Sequence, residues 1–599
     1  MSITPRGMSI SEAYRLYRSE KLLVNRRYQR KLVWTQAEKV KLVDSILKGY
    51  PIPLILLASR SQIHESGVYE IMDGMQRFNA IFTFIENVFP LDDGRYFDIQ
   101  HFSYAKELLE AGTIEKLDGD QPLLSLAECA KITEYQLAVT IYPATTEEEI
   151  TDVFGRINSN GKQLSFQERR QAGVVEPFAD TVRKIASELR GDSSQELMLL
   201  INMPEISIDS KQRHHGYGLN AEDILWCKQG ILTIKQLRDS EDEQMIADLC
   251  ASILFGEPFA YSGERLDKLY DVNTSEFKKL ENALTRYTVD RLIHDVKATF
   301  SVLREIIESY SDQSNTLRRV VHPKARGNPI KTAFYAIFMA FYDLIVLQER
   351  TPIDASGIMD ALSNVHVSLK QTSKAVNAKD RKNNINKIKG LLDEFFVKKE
   401  PSILKHGPSL ALDLENSIRR SLIETSRYEC KQGLLRLSNE RNLDQELLKR
   451  ILQTICGIAN VGPDGAGYLF VGVADKKKDA ERVKQLDQIE PYEINDRYIV
   501  GIDREAKLLD ISIEEYTDIL LNSIRNSKLS EPLKTQLLAK FDTVKITKAH
   551  QVFSVIRITI PAQTKMSNLD HAVFCRNGSS TEKVEGTGVI SIHELFNYS

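Results

Sequence analysis

The residue types able to do phosphate chemistry fall in a few short stretches of the chain. In IETSRYECK, Glu424 stands five residues before Glu429, and Lys431 two residues after it. If residues 428–431 are extended, Glu429 and Lys431 share one face of a strand, because side chains alternate with a period of two. Asp475 closes the apolar run YLFVGVAD, so a sheet could bring three carboxylates and a lysine together. Three convergent carboxylates form a hard-oxygen donor set for Mg²⁺ or Mn²⁺, which would activate water and neutralise charge at a phosphodiester. Lys431 could then stabilise the pentavalent transition state. The plainer reading, ordinary acids at the ends of elements, stands beside this one on spacing alone.

Three N-terminal stretches could handle anions. DGMQR at 73–77 ends the strand-like VYEIM and opens the helix-like QRFNAIFTFIEN, which gathers an acid, an amide and a guanidinium at one spot. The first turn of a helix presents unpaired N–H groups, and Arg77 adds positive charge there. A tight turn with Arg77 paired to a surface acid is the competing reading. NRRYQR at 25–30, followed by Trp34, interleaves basic and aromatic residues that could hold phosphate and stack a base, or could be solvated surface. GRINSNGK at 155–162 resembles a P-loop only superficially: five residues separate its glycines, and Gln163 follows Lys162 where Ser or Thr is required. A Walker A site is rejected, although Arg156, Asn158 and Lys162 could still reach an anion.

The elements that must position these residues are visible in the patterning. Val40, Val43, Ile46 and Leu47 recur at helical spacing within 37–48, and GYPIP stops that helix. LILLA at 54–58 reads as a buried strand, VYEIM at 68–72 as a second, and Phe78, Ile81, Phe82 and Ile85 mark the helix after the Asp-Gly turn. Thr146 with Glu149 and Ser165 with Glu168 form capping boxes either side of the turn SNGK. Residues 180–365 are mostly helical in pattern, and AFYAIFMAFYDLIVL at 333–347 reads as a buried helix, too short for a membrane span of about 20 residues. Punctuation in KKEPSILKHGPSL sets a domain boundary near 400–410. Beyond it, an amphipathic helix at 443–460 carries Leu448, Ile451, Leu452, Ile455 and Ile458 on one face. Gly462, Gly465 and Gly467 then turn into YLFVGVAD, Ser512 with Glu515 caps a further helix, VIRITI at 555–560 alternates as a strand, and FCRNGSS carries an Asn-Gly turn signal.

A length of 599 residues implies two to four cores, and 42% hydrophobic with 27% charged residues excludes disorder, collagen and coiled coil. The net charge of −4 argues against a chain that coats nucleic acid along its whole length. That total hides an uneven distribution, because the first fifty residues hold eleven Lys/Arg and four Asp/Glu. The six cysteines have no CxxC spacing and no histidine at zinc-ligand distance, which suits reduced thiols in the cytoplasm. MSITPRGMSI has no apolar signal core, so no membrane association is expected.

Taken together, YQRKLVW, DSILKGYPIP, YEIMDGMQR and FGRINSNGKQLSFQE closely resemble the ParB-like family, marked by a DGQQR motif, that supplies the S half of the modification-dependent restriction system GmrSD. Met75 stands where the family has its first Gln; Asp73, Gly74, Gln76 and Arg77 match. The resemblance implies a sensor that binds and hydrolyses an NTP, GTP or ATP, with Arg30, Asp73, Gly74, Gln76, Arg77 and Asn158 at the nucleotide. ENSIRRSLIETSRYECK, ILQTICGIANVGPDGAGYLFVGVAD and VFCRNGSST resemble the Schlafen AlbA-type domain, departing from it at Cys430 and Ala474. Some members are metal-dependent nucleases; their acidic triad maps onto Glu424, Glu429 and Asp475, which would hold Mg²⁺ or Mn²⁺ with Lys431 as the catalytic cation. Others are treated only as nucleic-acid binders.

The expected architecture is a ParB-like α/β domain at 1–180, a mostly helical extension at 181–405, and an α/β Schlafen AlbA-like domain at 406–599. The expected function is bacterial, cytoplasmic anti-phage defence, coupling nucleotide turnover and nucleic-acid sensing to cleavage. A nucleic-acid-binding regulator with a nucleotide switch is the alternative. Nucleic acid and nucleotide are the expected partners, with homo-oligomerisation left open.

Overall fold

A computed structural model describes residues 4–26, 32–59, 67–117, 119–144, 146, 149–150, 153–154, 165–171, 176–192, 197–203, 206–207, 219–370, 377–399, 401, 404, 410–422, 425–463, 465–548 and 551–596. The chain divides into two compact units, Met1–Pro408 and Ser409–Ser599. It is mixed α/β, with a helical middle, in agreement with the sequence patterning. Among the described residues no helix is long and apolar enough to cross a membrane.

The first unit opens with β1 (Thr4–Ser9), α1 (Ile10–Arg18), β2 (Leu22–Asn25), α2 (Gln36–Leu47), β3 (Ile55–Ser59), β4 (Tyr69–Asp73), α3 (Met75–Ile85) and β5 (Gln136–Pro143). With β6 (Leu197–Leu199) these strands form one sheet in the order β1-β5-β3-β4-β2-β6. The β3/β5 and β2/β4 pairs are parallel and the rest antiparallel. Thr35 and Glu38 close a capping box that starts α2. The apolar stripes of α2 and α3, from Val40, Val43 and Ile46 to Phe78, Ile81, Phe82 and Ile85, enter one core with Tyr14 and Leu57. Within that core Phe78 and Phe82 stack at 5.2 Å and the Tyr14 ring meets Phe82 edge-on at 5.7 Å.

Ser165 and Glu168 form the expected reciprocal cap, at 3.2 and 2.8 Å, and the Glu149 N–H donates to Thr146 Oγ1 at 3.3 Å. The SNGK turn between them lies outside the described residues. The helical part is cored by α4 (Pro177–Arg190), α5 (Glu241–Phe255), α6 (Val289–Tyr310), α7 (Lys331–Tyr342) and α8 (Ala378–Leu392). The run at 333–347 is not one uniform α-helix. Ala333–Tyr342 are buried in α7, and the chain then widens into a π-helical turn, Asp343–Leu347, closed by the Gln348 N–H on Asp343 O at 2.9 Å. Asp343 also accepts from Gln348 Nε2 and Lys389 Nζ, so a polar residue at the end of the apolar run gathers partners that hold the wider turn.

The second unit contains β7 (Tyr428–Lys431), α9 (Gln445–Ala459), β8 (Gly467–Val471), β9 (Val473–Ala474), α10 (Lys477–Asp487), β10 (Tyr492–Ile494), β11 (Arg497–Ile499), β12 (Phe541–Lys548), β13 (Gln551–Ile560), β14 (Val573–Asn577) and β15 (Ser580–Val584). One sheet has the order β7-β8-β13-β12, with β7 parallel to β8 and placed at the edge. A second has the order β9-β11-β10. The apolar face of α9 packs Leu448, Ile451, Ile455 and Ile458 against Leu469, Val471, Ile556 and Ile558.

One expectation needs correction here. YLFVGVAD is not one strand: Gly472, at φ +107°, breaks it. The Gly472 N–H donates to Lys431 O at 2.8 Å and its carbonyl accepts from Val500 and Gly501, after which Val473 and Ala474 pair with Ile499 and Tyr498 in the second sheet. Asp475 therefore follows a strand of a different sheet. In FCRNGSS the register pairs Asn577 with Ser580, so the two loop residues are Gly578 and Ser579, with Gly578 at φ +55°.

Candidate functional site

The Asp-Gly turn of the first unit is built by local constraints. Asp73 ends β4, and Gly74 caps α3 at φ +108°. A Cβ on Gly74 would lie 2.9 Å from Ile55 Cγ1, so conformation and space both demand glycine. Met75, the departure from the family motif, is buried in the core and does not face solvent. Arg77 returns one turn later and pairs with Asp73 Oδ2 at 2.7 Å while donating to Leu54 O at 3.0 Å. The Arg77 side chain is mostly buried, and its Nε has no hydrogen-bond acceptor among the described residues.

Gln76 does something the motif did not reveal. Its Oε1 accepts from the backbone N–H groups of Val33 and Trp34, at 3.1 and 3.3 Å. On the other flank of the basic stretch, Arg26 follows β2 and binds Asp192 through the backbone carbonyl and, at 3.1 Å, through Oδ2. Asp192 is in turn held by Arg190 at 3.2 Å, and Arg190 reaches Asp242 and Glu243 on α5. Both flanks of Arg27–Lys31 are thus anchored, one to the helix after the Asp-Gly turn and one to a buried charge network in the helical part. Arg30 and Asn158 themselves lie outside the described residues.

In the second unit, Glu429 and Lys431 share a face of β7 and form an ion pair, while Tyr428 and Cys430 point into the opposite core. The second Glu429 oxygen is taken by Arg576 Nη1 at 3.0 Å. Arg576, on β14, is almost fully buried and spends its other donors on the Thr425, Ser426 and Tyr428 carbonyls at 3.1–3.3 Å and on Thr581 Oγ1 at 2.9 Å. It fastens the hairpin to the backbone just after Glu424, and Glu424 lies outside the described residues.

Asp475 is exposed, and its carboxylate has no ion-pair or hydrogen-bond partner among the described residues. Its backbone carbonyl accepts from Arg497 Nη1 at 3.2 Å. Burial pushes the Cys430 thiol up to about 12, with Glu429 and Asp475 adding to the rise and Arg497 and Lys431 opposing it.

The carboxylates are of the hard-donor class that Mg²⁺ and Mn²⁺ take, and Asp475 is open to such an ion. Glu429 is already satisfied by two cations, and among the described residues no three His, Cys, Asp or Glu converge as a metal-holding group. Sequence reasoning missed Arg576 and Arg497. The available signal was an arginine inside the strand VFCRN, immediately before a turn already recognised as such.

Comparison with known families agrees with this two-part geometry. Residues 10–174 match the family model described as GmrSD restriction endonuclease, N-terminal domain, and residues 424–585 match the model described as Schlafen, AlbA_2. No curated protein and no solved structure matches the chain. The chain therefore joins a GmrSD-type N-terminal domain to a Schlafen AlbA_2-type domain in one polypeptide.

Proposed function

We propose that the chain is a defence protein in which the first unit binds and turns over a nucleotide and the second cuts nucleic acid. The observation that carries the cleavage reading is the pairing of Glu429 with Lys431 and the buried Arg576 inside the Schlafen AlbA_2 match, with Arg497 bonded separately to the Asp475 carbonyl. In this reading Lys431 and Arg497 meet non-bridging phosphate oxygens, Arg576 holds Glu429 in place, and Asp475 faces the entering strand. A divalent cation of the Mg²⁺ or Mn²⁺ class, held by Glu424, Glu429 and Asp475, would supply an activated water and charge neutralisation. In the first unit, Asp73, Gly74 and Arg77 would meet the phosphates of GTP or ATP, with Arg30 and Asn158 as further contacts and Gln76 fixing the basic segment. The Asp73–Arg77 pair at the glycine-capped start of α3 supports that assignment.

One observation favours a second reading, a binding-only regulator: both Glu429 oxygens are occupied by cations. A screen of tRNA, single-stranded DNA and modified and unmodified duplex DNA, with Mg²⁺ or Mn²⁺ and each NTP, separates the two. Cleavage that disappears with chelator supports the nuclease; background signal on every substrate leaves the regulator.

A further inference from the structure

The run Lys476-Lys477-Lys478 directly follows Asp475 and is exposed throughout. Among the described residues none of the three ammonium groups has an ion-pair or hydrogen-bond partner, although lysine-carboxylate pairs are common elsewhere in the unit, such as Lys484 with Glu490 at 2.6 Å. Lys476 caps α10, and Lys477 and Lys478 lie in its first turn, where like charge adds to the positive end of the helix. The chain thus accepts a local electrostatic cost here. Arg497, on β11, crosses to the same spot and bonds the Asp475 carbonyl, with its Nε on Ser421 Oγ at 3.3 Å. Counting Asp475 and the neighbouring Asp479 against these four cations, the ledge stays net positive in a chain whose total is −4.

We propose that Lys476, Lys477 and Lys478, with Arg497, form the docking ledge for the phosphate backbone of a nucleic-acid strand, and that this ledge leads the strand to Asp475. The inference rests on the nuclease reading for the role of Asp475, but the ledge is a binding site in its own right. Three exposed, unpaired ammonium groups on a flexible stem suit a polyphosphate of variable sequence, because a point charge reads no base. Condensed counterions leave the strand as each lysine engages, so affinity must depend steeply on salt.

The test uses the full chain in EDTA, where a metal-dependent cut cannot occur, with fluorescent single-stranded RNA and DNA oligonucleotides of one sequence. Affinity is measured by anisotropy across a salt series. Replacing all three lysines (Lys476→Ser, Lys477→Ser and Lys478→Ser together) should reduce the salt slope by about 2, since each contact to a single strand contributes roughly 0.7. The all-arginine triple variant should restore the slope. A wild-type slope in the serine variant overturns the ledge, and so does a reduced slope that the arginine variant fails to restore. Equal effects on RNA and DNA place recognition on the shared phosphates; an effect on neither overturns it. If the slope falls but no substrate is ever cut, the ledge stands and the nuclease reading fails.

Discussion

The two candidate sites are held together in opposite ways. At the Asp-Gly turn, Asp73 and Arg77 are four residues apart, the acid is half exposed, and the pair closes within one turn of helix. At Glu429 the decisive partner, Arg576, is 147 positions away in sequence and is buried with its charge. Exposed local pairs contribute little to stability, whereas removing one partner of a buried pair strands a charge. The first pair keeps its acid half exposed, so losing that acid costs less than losing Arg576. The second ties its candidate acid to a contact on which stability depends.

The sharpest way to break that contrast is Arg576→Ala. It removes the buried partner of Glu429, leaving that acid to Lys431 alone, and takes a donor from three backbone carbonyls, and should cost about 3–5 kcal/mol. For a unit of this size that lowers the melting temperature by roughly 6–20 °C, readable by calorimetry. A shift under about 2 °C would show that the buried pair is no different from a surface one.

Gly74→Ala comes next. It forces an L-residue into a left-handed conformation against Ile55 and should cost about 1–3 kcal/mol in urea unfolding of the first unit. Asp73→Ala should cost less than about 1 kcal/mol while lowering NTP turnover at least roughly tenfold. A large loss of stability with intact turnover would reverse the assignment.

The smallest effect is expected at Cys430. Its thiol titrates near 12, so it stays protonated and neutral below that pH, and Cys430→Ala should leave the pH profile of cleavage between 7 and 9 unmoved. A profile that loses an alkaline limb in the variant would place the thiol in the chemistry.

What the sequence made legible follows the same division. The helix at 36–47, the strand-turn-helix around Gly74 and the caps at Ser165 and Ser512 are set by neighbours within a few residues, and periodicity with capping chemistry exposes such features directly. The alternation that puts Glu429 and Lys431 on one face is equally local. Gln76 reaching Val33, Arg26 reaching Asp192 and Arg576 reaching Glu429 depend on which strands become neighbours, and no short spacing encodes that. The break at Gly472 was hidden for a related reason. Its glycine sits inside an otherwise continuous apolar run, and only the pairing of Val473 with Ile499 in another sheet shows that the strand changes partner there.

The division of labour between the units is tested most directly by measuring NTP turnover and nucleic-acid cleavage side by side in wild type, Asp73→Ala and Glu429→Gln. Glu429→Gln should abolish cleavage of the best substrate and keep wild-type NTP turnover, while Asp73→Ala loses turnover. Wild-type cleavage by Glu429→Gln would contradict the account.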